Sequence, residues 1–144
     1  MYPKYEFKEH TADVLIVAYG ESLEQLFENA AEAVFEVMTD TRKIDPQISK
    51  VIKDEGFDLE NLLYRWLEDL LVYYDAENIV FGKFKVKSIT KINNEKYIID
   101  AIAWGEEFNE DKHERRTIVK AITYAQMKIE KINNVWKATF VVDI

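Results

Sequence analysis

The sequence predicts an α+β domain, a two-layer sandwich in which two helices pack on one face of a largely antiparallel sheet. Three observations predict it. The chain opens on an alternating strand, with Tyr5, Phe7 and Glu9 set against Glu6, Lys8 and His10. Two segments, after Ser22 and after Asp58, carry apolar residues at helical spacing. From Phe84 onward the pattern alternates and turn signals interrupt it. One strand, two amphipathic helices and an antiparallel run fit two layers around a single core.

The elements follow in order. Val14-Leu15-Ile16-Val17-Ala18 is apolar on both faces, as in a central strand. The polar break His10-Thr11-Ala12-Asp13 before it predicts a bulge or a strand change. Ser22 and Gln25 form a capping-box pattern that satisfies orphan backbone donors. Leu23, Leu26, Phe27, Ala30, Ala31, Val34 and Met38 then mark a helix ending near Thr39-Asp40. Ile48 to Lys53 reads as a short edge strand. Asp58 caps the second helix, whose stripe runs from Leu59 through Trp66 to Tyr74 and stops at Asp75 to Asn78. Phe84 and Val86 alternate with Lys83, Lys85 and Lys87, Asn93-Asn94 turns the chain, and Tyr97 to Trp104 returns. An extended segment is expected from about Ile118, because Ile118, Val119, Ile122, Thr123 and Tyr124 favour strands. A second Lys-Ile-Asn-Asn at 131–134 precedes a last strand, Val135 to Val142. The flanks of the two copies differ, so they read as repeated hairpin chemistry and not as a duplication. On the last strand Trp136, Ala138, Phe140 and Val142 should face the core, and Lys137, Thr139, Val141 and Asp143 the outside or the rim.

Composition bounds the function. Residues 1–144 make one domain, and 4 Gly and 2 Pro leave no room for a flexible linker. The absence of Cys excludes disulfides and thiolate metal sites and fits a reducing cytoplasm. The start lacks the apolar core of a signal peptide, and no stretch approaches the roughly 20 apolar residues of a membrane-spanning helix. A net charge of −8 argues against a protein that grips nucleic acid by itself, so no direct nucleic-acid binding is expected. There is no Gly-rich phosphate loop, no Ser-His-Asp arrangement and no His-Glu-x-x-His.

The concentration of oxygen ligands at the two ends of the chain stands out. Asp143 lies beside Ile144 and its terminal carboxylate, and Asp13 ends the polar break. Hard oxygen sites of this kind suit Mg²⁺, Ca²⁺ or Mn²⁺ and not zinc. An isolated Asp at a chain end is ordinarily just solvated. Lys112, His113, Arg115, Arg116 and Lys120 form the one basic cluster, diluted by Glu106, Glu107, Glu110, Asp111 and Glu114.

Several motifs together carry a family resemblance. They are Glu9-His10-Thr11-Ala12-Asp13, Asp111-Lys112-His113-Glu114, Val119 to Tyr124, Met127-Lys128-Ile129-Glu130 and Val142-Asp143-Ile144. In this order, over nearly the whole chain, they resemble archease, the small protein cofactor of RtcB-type RNA ligases. The resemblance implies an SHS2-like core. It implies a divalent metal (Ca, Mg or Mn) held by Asp13, Asp143 and the carboxylate of Ile144. It also implies partner or activation roles for Lys120, His10 and His113. Three carboxylates so close would repel unless a cation or a proton intervened. Where archeases often carry His after Thr-Tyr, this chain has Ala125, which argues against essential chemistry at that position.

The function implied is a non-enzymatic accessory factor of tRNA splicing. It would promote guanylylation and multiple turnover of a ligase that itself uses GTP and Mn²⁺. Two other classes remain in view. A chaperone-like adaptor would use the acidic corner as a structural ion site. A small metal-dependent hydrolase would show intrinsic nuclease or phosphatase activity, but its nucleophile and base motifs are missing.

Overall fold

The structure, a computed structural model, describes residues 2–9 and 12–144. Its elements are β1 (Tyr5–Glu9), β2 (Asp13–Gly20), α1 (Leu23–Met38), a 3-10 turn (Thr41–Lys43), β3 (Ile48–Gly56), α2 (Leu59–Glu77), β4 (Ile79–Asn93), β5 (Lys96–Glu107), β6 (Ala121–Ile132) and β7 (Val135–Asp143). The α+β class and the antiparallel pairing are as expected. The strands fall into two sheets, ordered β1-β2-β7-β6 and β3-β5-β4, so the short strand expected at Ile48 to Lys53 is an edge strand, and it runs on to Gly56. The helix pair joins the sheets: α1 packs on β2, β7 and β4, and α2 on β6, β3, β5 and β4.

Local chemistry sets the helix ends. The Ser22 side chain accepts from Gln25 N–H at 3.1 Å. The Gln25 carbonyl reaches back to Glu21 N–H at 2.7 Å, one residue before the position a capping box would use. The Asp58 carboxylate accepts from Asn61 N–H at 2.7 Å. At its other end α2 closes on Asn78, a left-handed residue with φ 57°. The Trp66 indole donates to Phe27 O at 3.0 Å, which satisfies a buried donor and ties α2 to α1.

The two sheets share a layout. Gly20-Glu21-Ser22 leads β2 into α1, and Gly56-Phe57-Asp58 leads β3 into α2. A Cβ on Gly20 would lie 2.4 Å from Leu26 N, and one on Gly56 2.5 Å from Leu62 N, so both junctions exclude a side chain. Each leading strand pairs with the second strand of a hairpin: β2 with β7 of β6–β7, and β3 with β5 of β4–β5. The unit β3-α2-β4-β5 is thus nested inside β2-α1-β6-β7. The Lys-Ile-Asn-Asn copies mark the two hairpins, but their turns differ. Asn133 and Asn134 both have positive φ, as a type I′ turn requires, whereas Asn93 caps its turn by accepting from Glu95 N–H at 2.9 Å.

Of the two outcomes expected at the polar break, the strand change is the one found: β1 and β2 pair antiparallel, with Glu9 opposite Val14. Two local expectations are corrected. Val141 is buried, because β7 lies between β2 and β6 and Val141 is flanked by Leu15 and Thr123. The segment from Ile118 is extended as a regular strand only from Ala121. Beyond it, β6 breaks register between Thr123 and Lys128, with Gln126 at φ 58°. Among the described residues no helix is long and apolar enough to cross a membrane.

Candidate functional site

The site lies where β2 begins, β7 ends and β6 begins. Asp13 pairs with Asp143 across the β2–β7 ladder, and Asp143 pairs with Ala121 across β7–β6. Cross-strand partners project to the same side of a sheet, with Cβ atoms about 4.5–5.5 Å apart. The two carboxylates therefore share one face. Backbone contacts fix the corner. Lys120 N–H donates to Asp143 O at 2.8 Å, and Ile144 N–H donates to Ala12 O at 3.2 Å. One strand further in, the Thr123 hydroxyl donates to Val141 O at 3.0 Å. Asp13 is half-buried, Asp143 and Lys120 are exposed, and Ile144 rests against the core.

Like charges set directly opposite on a ladder destabilise it by a few tenths to about 1 kcal/mol. The corner therefore favours a cation. Its side-chain donors are hard oxygens, which fit Ca²⁺, Mg²⁺ or Mn²⁺. Among the described residues no third His, Asp or Glu completes a metal-ligating group. Further ligands would have to be backbone or terminal oxygens or water, which these ions accept.

His113 belongs to a different cluster. It is buried, and its Nδ1 accepts from Asn109 N–H at 2.9 Å, so Nε2 carries the proton and donates to Glu106 at 3.1 Å. Lys112 binds the same Glu106 carboxylate at 2.7 Å and Asp45 at 2.6 Å. Burial pushes the Glu106 carboxyl up, but the hydrogen bonds from Lys112, Asp45 N–H and His113 outweigh it and hold the group below its ordinary range. The cluster closes the loop after β5. His10 lies outside the described residues.

The basic cluster does not survive as a patch. Arg115 pairs with Glu110 at 2.9 Å, and Arg116 pairs with Glu114 at 2.9 Å and Glu36 at 3.0 Å. Among the described residues Lys120 alone of the cluster forms no such pair. Sequence reasoning missed a cleft of about 360 Å³ beside Ile144, lined by Phe7, Val14, Glu36, Val37, Arg116 and Thr117. With Ile144 its walls come from five separate segments, so no local motif announces it.

Residues 5–144 match the model of the archease protein family. The chain belongs to the archease family. Protein archease of Sulfurisphaera tokodaii is 57% identical over 98% of this chain and 99% of that protein. Protein archease of Aeropyrum pernix is 55% identical over 95% of this chain and 94% of that protein. Among solved structures, protein 1598 of Methanobacterium thermoautotrophicum superposes with a TM-score of 0.86 at 41% identity, covering 98% of this chain and 99% of the other. An archease of Thermotoga maritima, described as a possible chaperone, shares the fold with a TM-score of 0.57 at 20% identity over the full length of both chains. For this archease the fold brings Ala12 and Asp13 near the start of the chain into one corner with Asp143 and Ile144 at its end.

Proposed function

We propose that this archease is a non-enzymatic accessory factor that activates an RtcB-type RNA ligase in tRNA splicing. The observation that carries the reading is the facing pair Asp13 and Asp143, held by the Lys120 and Ile144 backbone contacts at an open sheet end. Asp13, Asp143 and the carboxylate of Ile144 would hold a divalent cation, Ca²⁺, Mg²⁺ or Mn²⁺. When bound, that ion supplies positive charge that cancels the repulsion between the carboxylates. Asp13 and Asp143 present their oxygens on one side of the sheet. The exposed Lys120 adds a cation within reach of a partner's nucleotide or carboxylates. His113 fixes the loop that precedes Lys120, a supporting role consistent with its burial. The ligase, which uses GTP and Mn²⁺, performs the chemistry, and the archease promotes its guanylylation and release. Transient binding in the cytoplasm suffices, because a catalytic activator must dissociate.

The deciding experiment is RNA ligation by the cognate ligase at large substrate excess. Sub-stoichiometric archease should turn stalled single-turnover ligation into many turnovers, and Asp143→Ala should not. No change with the folded wild-type protein and an active ligase would sink the reading.

A chaperone-like adaptor is the second reading. The exposure of Phe57, Val51 and Val72, at 63%, 59% and 54%, favours it, because such side chains suit promiscuous apolar contacts. That reading predicts binding to several clients with no dependence on Asp143.

A further inference from the structure

The outer face of the β3-β5-β4 sheet is the surface the helices leave uncovered. Ile52, Val86, Ile99, Ala101 and Ala103 point into the core, so the alternate residues point away from it. The register sets them in rows. Ser49, Trp104 and Lys83 form one row, Val51, Ile102 and Lys85 the next, and Lys53, Asp100 and Ser88 the third. The centre of the face is apolar, with Trp104 and Ile102 half-buried and Val51 exposed. Its two edges carry exposed lysines, Lys53 on one side and Lys83 and Lys85 on the other, with Lys87 in the adjoining bulge. Among the described residues none of these four lysines forms an ion pair. Two carboxylates share the face. Glu55 is neutralised by Lys96 at 2.7 Å, and Asp100, opposite Lys53, has Oδ1 buried without a hydrogen-bond partner.

We infer that this face binds single-stranded RNA, with Lys53, Lys83 and Lys85 on phosphates and Trp104 as a stacking surface. Net charge does not forbid it. At about 0.1 M salt the Debye length is about 10 Å, so carboxylates on distant elements are screened and the local lysines dominate. Lys83 and Lys85 are two residues apart on one strand, about 6.8 Å, comparable to the spacing of successive phosphates in an extended single strand. The Lys83 ammonium lies over the Trp104 ring, 5.0 Å from its centroid, so the indole face is capped by a cation in the free protein. A base can take the ammonium's place on the ring while the freed lysine meets a phosphate. The carboxylates of an acidic polypeptide cannot make that stacking exchange, which favours nucleic acid as the occupant. An open sheet surface that presents an aromatic side chain is one on which single strands are taken. The choice of RNA as the strand rests on the ligase-cofactor reading.

The test is fluorescence anisotropy of a labelled oligouridylate of roughly 12 nucleotides, a length within the range such sites cover. Wild-type protein should bind, with a log–log salt slope of about −2 for three lysine contacts. K83E/K85E should weaken binding at least tenfold. Trp104→Ala should weaken it about five- to hundredfold, while Trp104→Phe, which keeps a ring and guards against misfolding, should retain most of it. Lys131→Glu, on β6, should change nothing. Absence of salt-dependent binding overturns the inference, as does equal binding by K83E/K85E. Equal competition by polyglutamate would assign the face to an acidic protein. No ligase is present in this assay. RNA binding that fails while ligation is still activated removes this inference alone. Binding without any activation removes the cofactor reading alone.

Discussion

Asp13 and Asp143, from opposite ends of the sequence, are direct cross-strand partners in the β2–β7 ladder. Their adjacency places two like charges on one side of the sheet. It also makes the corner's stability depend on what else is bound there.

A divalent cation should therefore stabilise the protein. Binding to the folded state alone contributes RT ln(1 + [L]/Kd), about 2.7 kcal/mol at a hundredfold excess over Kd. For a domain of this size that is a rise in Tm of several degrees. Thermal melts in EDTA and in excess Ca²⁺, Mg²⁺ or Mn²⁺ measure it. Asp143→Asn should melt slightly above wild type in EDTA, because the repulsion is gone, and should lose most of the cation response. An equal response in both proteins would place the ion elsewhere.

Removal of Asp143 and Ile144 should leave a cooperative fold and abolish ligase activation. The buried apolar side chains of the last strand, Ala138, Phe140, Val141 and Val142, all lie upstream of the cut, and only the partial packing of Ile144 is lost. Circular dichroism and the multiple-turnover assay separate the two effects. A deletion variant that does not fold would show that the last two residues are structural.

Glu28 and Glu60 should matter to stability more than exposed glutamates usually do. Glu28 accepts from Val86 N–H at 2.8 Å, and Glu60 accepts from Ile129 N–H at 3.1 Å, so each helix caps a donor on a sheet edge. Glu28→Ala orphans that donor and should cost about 1–3 kcal/mol, while Glu28→Gln keeps an acceptor and should cost less. Denaturant unfolding gives both numbers. Hydrogen exchange at Val86 should accelerate in the alanine variant.

The pair Asp54 and Asp69, between β3 and α2, should make stability fall as pH rises. Burial, then the hydrogen bond and charge of Asp54, then the charge of Glu68, push the Asp69 carboxyl up to about 7, despite the opposing Arg65 charge. The folded state then holds a proton that the unfolded chain has already released above its ordinary carboxylate range. Stability is accordingly greatest below that range and is lost as pH climbs to about 7. Chemical denaturation at pH values across this window should show the decline. Asp69→Asn should flatten it, and an unchanged profile would exclude the pair as its source.

Much of the fold was legible locally. Ser22 and Asp58 start the helices that the apolar spacing outlines, and Asn133-Asn134 turns the last hairpin, because caps and turns are bonded within a few residues. An edge strand was legible over Ile48 to Lys53, though neither its run on to Gly56 nor its partner β5 was. The bulge between Thr123 and Lys128 was not legible, since no residue type there demands it. Asp13 and Asp143 were singled out as ligand types. Alternation along β7 gave the side on which Asp143 lies, but it says nothing about which strand lies beside it.

By itself the sequence determined the element types, their order, the core faces of helices and strands, and the chemistry available at each position. These follow from periodicity and from hydrogen bonds made within a helical turn or a hairpin. Only the tertiary structure decided that the strands divide into two sheets, that one strand–helix–hairpin unit nests in another, that Val141 is buried, and that Lys83 stands beside Trp104, with Lys85 and Lys53 in the next two rows, on the face the helices leave uncovered. Strand partners are chosen by non-local packing, where burial of the shared core outweighs the loop-closure entropy of bringing distant segments together. That choice is made by the whole chain at once.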